Sequence, residues 1–588
     1  MRVSERIKAL ATGSVVAGAA MAMAIGMDLG ATPAPQAAAA AQPFCSKPTY
    51  GGTLTMPWTN DFATLDPVYW DDGQSLMAMQ SIYDTLVEYD KNSSALGPGL
   101  ATHWTVTNGG RTYTFYLRNA KFSNGDPVTA ADVAFDLNRV SQPGSGSAYA
   151  GFTLGDVQGY AQLQNEPKTS RAYTEWNTNP MPLSGVKVLG THVIQITLVK
   201  PEAFFLNDMA LYVTAVADPA VIKQYGPTDK NDAYENHAVG TGPFKLLTWQ
   251  HNKQLVLVAN PLYWGPKPYL SKIVFPVDVN PTTAYEEFTR NQVNLIWGPS
   301  SAQYLQAMSN PNTAVEWHQQ PYNWVVYGYL NTQVAPFNSI YVRQALNYAL
   351  DKSVLIKVAV NGHGYLPSDG VLPAGMPGYV KGSTEPYPYN LAKAKALMAK
   401  AGYAHKTLSF KYYIPNDPPD EAIATYQQQA WRKIGVDITI VPVSTSVYWS
   451  NATPPPTGGP QTNYDAGDAG WIQDYPDPSD FFANLLYATG PANNPAKDVF
   501  ASSNFANYNN PQVDKLVNEA DTLPPSQDKL RYKLYDEAQA IVEHDAPWIF
   551  QYFATQQMLI TNNVGPSDIY LYLHPIKAVQ FQYMWVCK

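Results

Sequence analysis

The stretch Gly470-Trp471-Ile472-Gln473-Asp474-Tyr475-Pro476-Asp477-Pro478-Ser479-Asp480 puts two aromatic residues, three carboxylates and two prolines into eleven positions. Proline interrupts regular helix and central strand, so the composition predicts a stiff loop. Trp and Tyr rings beside carboxylates can hold an amphipathic cation: the rings offer apolar surface and the acids offer charge. Taken alone, a turn rich in Asp and Pro is more often a plain acidic surface turn. The surrounding chain decides between the two.

The chain has 588 residues, too many for one core, so two or three domains are expected. Hydrophobic residues make up 45%, enough for globular folding, whereas charged residues make up only 14%. Tyrosine (40) and proline (48) are abundant, which suits a large cleft lined by amphipathic rings as well as a Tyr-rich surface.

Arg2, Arg6 and Lys8 precede an apolar run of small residues from Ala9 to about Met27, followed by alanines at 37–41. This reads as a secretory signal peptide over residues 1–41. Its removal takes away three basic and two acidic residues and moves the net charge from −9 to −10. An acidic exported protein is a poor partner for nucleic acid or anionic lipid. Cys45 and Cys587 sit near the two ends of the mature chain, and in an oxidising compartment an even count predicts one disulfide joining them. The alternative, a lipid-modified Cys45, lacks the small residue expected just ahead of it, where Phe44 stands.

From Gly51 the pattern alternates strands and helices. Thr53–Met56 reads as a strand, and Tyr113, Phe115 and Leu117 share one face of another, as do Ile194, Ile196 and Leu198. Helices are expected over Ala130–Val140 and Tyr341–Leu350, after Asn390, and from Ser526 with Leu530, Leu534, Ala538 and Ile541 inward. Thr453–Pro460 is expected to be an exposed loop. The whole is mixed α/β with several domains.

Several familiar chemistries lack support. No two of the nine histidines lie closer than His237 and His251, and no H-E-x-x-H or C-x-x-C occurs, so neither a metal nor a cofactor is expected. Gly240-Thr241-Gly242-Pro243 has Lys245 where a nucleotide loop needs glycine, and a strand-like segment follows. Asp474, Asp477 and Asp480 offer the paired carboxylates of a glycosidase, but any acidic loop supplies as much.

A set of segments in fixed order then narrows the reading. Gly51-Gly52-Thr53-Leu54-Thr55, Leu65-Asp66-Pro67, Tyr83-Asp84-Thr85-Leu86, Gly97-Pro98-Gly99-Leu100-Ala101 and Phe122 to Val133 come first. Gly240 to Phe244, Asn260-Pro261-Leu262-Tyr263-Trp264, Val342 to Asp351 and the Trp471–Phe482 loop follow. Together they resemble the family 5 extracellular solute-binding proteins of ABC transporters, the oligopeptide- and dipeptide-binding group. The resemblance implies an α/β, periplasmic-binding-protein-like type II fold (cluster C) with discontinuous lobes closing on a cleft and an extra lobe II. Lobe I would comprise 46–83, 212–325 and 552–588, lobe II 84–211 and lobe III 326–551. It implies a non-enzymatic monomer, exported to the periplasm or the outer face of the cell envelope. There it would capture peptides and deliver them to a membrane permease, closing by a hinge.

Matching positions imply a site. Asp474 lies where peptide binders place the acid that pairs with the ligand's α-amino group. Trp471 matches a cleft-lining Trp, and Tyr149 a cleft Tyr of lobe II. The loop with Tyr69, Trp70, Asp71 and Gly73 resembles the one that pairs with the ligand backbone. Asp468 departs from the pattern: oligopeptide binders carry there an Arg that holds the carboxylate of short peptides, and an acid would repel it. The ligand is then long, blocked at that end, or not a peptide, with an oligosaccharide the leading alternative. A secreted hydrolase using Asp474 with Asp477 or Asp480 is the rival of another class.

Overall fold

The structure is a computed structural model. It describes residues 45–587 except 71, 91–92, 227–232, 310–319, 360–364, 380–385, 417, 453–463, 490–498, 501–502, 557 and 566–578. The leader expected over 1–41, the loop expected over 453–460 and Asp71 lie outside the described residues.

Three larger sheets organise the chain. The first joins Thr53–Thr55, Lys272–Pro276, Gln254–Ala259 and Phe244–Gln250, with only the first pair parallel. The second is antiparallel throughout and joins Ala101–Thr107, Thr112–Leu117, Val193–Thr197 and Val186–Gly190. Tyr113, Phe115, Ile194 and Ile196 are fully buried on its inner face, as their alternation predicts. The third has six strands in the order Tyr365–Pro367, Trp548–Gln556, Gln320–Leu330, Ala466–Ile472, Leu408–Pro415 and Val436–Val443.

Two of these strands also carry the chain between bodies. Gln320–Leu330 and Trp548–Gln556 pair antiparallel from Gln320↔Gln556 to Tyr329↔Trp548. Beyond the second, Met558–Ile560 pairs with Leu295–Trp297 outside the six-stranded sheet. One apolar core is built by residues between 54 and 295 and between 558 and 584 together with Tyr475, and another by residues between 325 and 554. A buried ion pair locks the first core internally: the Arg139 guanidinium donates to both oxygens of Asp66, with the two side chains 1% and 0% exposed.

Local chemistry accounts for the elements that form. The helix Ala130–Ser141 starts at a capping box in which the Thr129 N–H donates to Asp132 Oδ2 at 2.8 Å. Asn390 Oδ1 accepts from Lys393 N–H at 2.9 Å and opens Leu391–Lys400, and Gly402 at φ +89° follows the helix end. The helix expected from Ser526 begins at Asp528 and runs to Asp545. Its Leu530 is 43% exposed rather than inward, because the core begins only at Leu534. The glycines of Gly240-Thr241-Gly242 serve packing: a Cβ at either would meet Ile82 backbone atoms at 2.3 or 2.7 Å. A disulfide joins Cys45 to Cys587, with Cα atoms 6.0 Å apart.

Candidate functional site

The Trp471–Asp480 stretch is less of a loop than its prolines suggest. Trp471 and Ile472 close the strand Ala466–Ile472, where Trp471 pairs with Val325. Pro478 opens the helix Pro478–Leu485. At the first helical position proline loses nothing, since its missing N–H has no intrahelical acceptor there. Asp477 caps this helix, accepting from the Ser479 N–H at 2.9 Å and from Ser479 Oγ at 2.7 Å. Its other oxygen accepts from the Arg531 guanidinium, a pair whose side chains are 5% and 2% exposed. The irregular part is therefore only 473–477, anchored at both ends.

Asp480, in the first turn of that helix, ties the anchors together. Its Oδ2 accepts from Trp471 Nε1 at 3.2 Å and from the Asp474 N–H at 2.9 Å. This fixes the indole plane and the backbone from which the Asp474 side chain projects. Asp474 Oδ1 accepts from Tyr149 Oη at 3.1 Å. Tyr149 in turn stacks on Trp70, with centroids 4.8 Å apart and planes at 16°. Trp70 Nε1 donates to the Asp72 carbonyl at 3.0 Å, just before the helix Gly73–Ile82. A continuous chain of contacts therefore runs Trp70–Tyr149–Asp474–Asp480–Trp471, from the first core to the second.

Burial pushes the Asp474 carboxyl up to about 7, a rise that the Tyr149 hydrogen bond partly offsets. An acid so placed is a receptor for a cation or a proton. Tyr149 and Trp471, both half-buried, can offer apolar faces beside a charge there, whereas Trp70 is 5% exposed and stacks its face on Tyr149.

The other expected residues fall elsewhere. Tyr69 ends the short turn Pro67–Tyr69 and meets Trp176 edge-on at 6.1 Å. Gly73 is exposed at the start of its helix. Asp468 is 2% exposed, and its Oδ1 accepts from Tyr412 Oη and Gln551 Nε2, both at 2.7 Å. Sequence reading took the Tyr475 ring as a surface for a ligand, and missed Phe152 and Phe204. Tyr475 is fully buried, 5.5 Å from each of the two phenylalanine rings. It packs in the first core although its neighbours in sequence build the second. The only sequence signal was an aromatic ring inside an acidic turn.

Residues 95–493 match the family described as bacterial extracellular solute-binding proteins, family 5 Middle. The chain is 29% identical over 481 residues to heme-binding protein A of Haemophilus influenzae, covering 80% of this chain and 81% of that protein. It is 28% identical over 509 residues to the probable D,D-dipeptide-binding periplasmic protein DdpA of Escherichia coli, covering 86% and 89%. Among solved structures it resembles the periplasmic binding protein DppA of Helicobacter pylori in complex with the peptide STSA. That likeness has a TM-score of 0.70 at 25% identity and covers 92% of this chain and 99% of the other. The chain belongs to the family 5 extracellular solute-binding proteins, with their mixed α/β fold.

Proposed function

We propose that this family member is the capture component of an ABC importer. It takes up peptides carrying a free amino group and hands them to a membrane permease. The observation that carries the reading is Asp474: a half-buried carboxylate at the junction of two cores, raised by desolvation and hydrogen-bonded to Tyr149, whose ring stacks on Trp70. An ammonium group would replace the Tyr149 hydroxyl as its partner, or share it. Relatives named for dipeptide binding and a similar structure solved with a bound peptide support the class of ligand.

The proposed division is lobe I over 46–83, 212–325 and 552–588, lobe II over 84–211 and lobe III over 326–551. Both proposed crossings run within long paired strands, Gln320–Leu330 and Trp548–Gln556, which suits a hinge. Asp477 and Asp480 are occupied as a helix cap with an ion pair and as a brace, which favours binding over hydrolysis. The relatives are solute-binding proteins, and export to the periplasm or outer envelope face follows the same reading.

The test uses a defined mixture of tri- to pentapeptides and its N-acetylated counterpart. The free-amine mixture is expected to raise the melting temperature, because a ligand that binds only the folded state stabilises it. Acetylation is expected to abolish most of that shift, and scattering to show a smaller radius of gyration with ligand. The peptides should be recovered intact. Stabilisation by oligosaccharides alone would replace the ligand class, and accumulating cleavage products would move the protein to the hydrolases.

A further inference from the structure

Tyr475 leaves the recognition loop and fills a socket on the opposite body. Its ring stacks on Phe204 with planes at 22° and lies tilted at 45° on Phe152. Close in sequence to that socket, the Ala203 N–H donates to the Asp521 carbonyl at 2.8 Å. The described structure therefore has the two bodies closed on each other through the loop that carries Asp474.

This closed junction holds an acid with nothing to compensate it. Asp208 ends the short helix Phe205–Asp208, four residues after Phe204, and is fully buried. Neither of its carboxylate oxygens has a hydrogen-bond partner among the described residues. The groups that face it are of the wrong kind. Glu202 and Asp156 on its own side, and Asp477 and Asp480 on the recognition loop, all act on it as like charges that raise its carboxyl. The phenols of Tyr89, Tyr113 and Tyr475 complete its surroundings.

The nearby cations are engaged elsewhere. Lys200 sits on Asp156 at 3.2 Å, and the Arg531 guanidinium sits on Asp477. Asp474 and Asp521, on the loop side, each accept a tyrosine hydroxyl, from Tyr149 and Tyr535. Among the described residues no cluster of His, Cys, Asp and Glu has the arrangement to hold a metal ion. An ionised carboxylate buried without donor or cation costs far more than the same group protonated.

We propose that closing the recognition loop onto the Phe152–Phe204 socket takes up protons, with Asp208 as the group that must carry one for the closed form to exist. When Tyr475, Asp477 and Asp480 withdraw, water reaches the 204–208 segment and Asp208 ionises. Closing reverses this. Burial first, then the neighbouring Glu202, holds the carboxyl well above its ordinary value of 3.8 in the closed form. The closed form thus binds more protons than the open one. Its advantage is complete below the ordinary carboxylate range and declines as pH rises from 3.8 toward the raised value. Glu202, Asp474 and Asp521 are also raised by burial and act in the same direction. Asp208 differs from Asp474 and Asp521 in having no donor, so it is the member whose removal should matter most. The inference rests on the capture reading only in taking the two bodies to be separable.

The experiment is small-angle scattering of the full-length mature protein without ligand, wild type and Asp208→Asn, from about pH 5 to about pH 9. The radius of gyration of the wild type should increase with pH. In Asp208→Asn, an isosteric change that cannot ionise, the increase should move to higher pH by about one unit or more. A flat radius in the wild type, or the same pH course in both proteins, would overturn the proposal. Should Asp208→Asn not fold, Asp208→Ser takes its place and is read by the same two criteria. Loss of peptide binding would sink the capture reading but leave this pH course to be judged independently.

Discussion

Asp474 is where charge, burial and geometry meet on one side chain. Its carboxyl is raised to about 7 by burial, so near neutral pH it is divided between two forms, only one of which attracts a cation. The sign follows: affinity for a peptide ammonium is present above about pH 7 and is lost as pH falls through it. Asp474→Ala should weaken binding of a free-amine peptide by about 2–5 kcal/mol, the usual loss on truncating a buried charged partner. Asp474→Asn should flatten the pH profile. Isothermal titration at several pH values checks both, and unchanged affinity in Asp474→Ala would remove the residue from the site. This dependence runs opposite to that proposed for Asp208. Ligand affinity should therefore pass through a maximum, whereas compaction of the empty protein should only fall with pH.

One scale up, the strand Ala466–Ile472 and the helix Pro478–Leu485 act as two rails for a five-residue turn. Asp480 is the tie between them, because a single carboxylate oxygen accepts from Trp471 Nε1 and from the Asp474 N–H. Asp480→Ala should leave both donors unsatisfied, at about 1–3 kcal/mol each, and loosen the indole. Asp480→Asn keeps an acceptor oxygen and should recover most of the loss. Denaturant unfolding reads the stability, and the loss of emission on adding Trp471→Phe to the wild type and to each variant isolates this indole from the other thirteen. Equal emission in Asp480→Ala and wild type would show that the tie positions nothing.

Across the whole molecule, the ends of the described chain are held together, and the two paired strands proposed as the hinge, Gln320–Leu330 and Trp548–Gln556, lie apart from that join. Cys45 and Cys587 are bonded across a separation of 542 residues, and their backbones add contacts to the neighbouring residues Asn562 and Asn563. Thiol titration of the denatured, unreduced exported protein should find no free thiol. The double change Cys45→Ser with Cys587→Ser should lower stability by about 2–5 kcal/mol, chiefly by freeing the unfolded chain. Ligand-induced compaction should survive it, because the hinge strands Gln320–Leu330 and Trp548–Gln556 do not include the bond. The buried Arg139–Asp66 pair ties together residues of the proposed lobes I and II, so under the proposed division lobe III is the part expected to move.

The sequence alone determined whatever depends on short-range rules. Strand faces at Tyr113 and Phe115, the Asn390 cap and the pairing of two cysteines each follow from local periodicity, local hydrogen bonding or simple counting. The ordered set of motifs also identified the family. Tertiary structure decided what depends on distant segments. Pro478 reads as a breaker until Asp477 and Arg531 show that it starts a helix, because a first-turn position looks like any other proline in a string. Tyr475 reads as one of two loop aromatics, yet it alone crosses into the other core, since Phe152 and Phe204 come from more than 270 positions earlier. Asp208 carries no signal in sequence at all. Its isolation arises only when two bodies close over it, because the cost of burying a charge is set by what surrounds it and not by its neighbours in the chain.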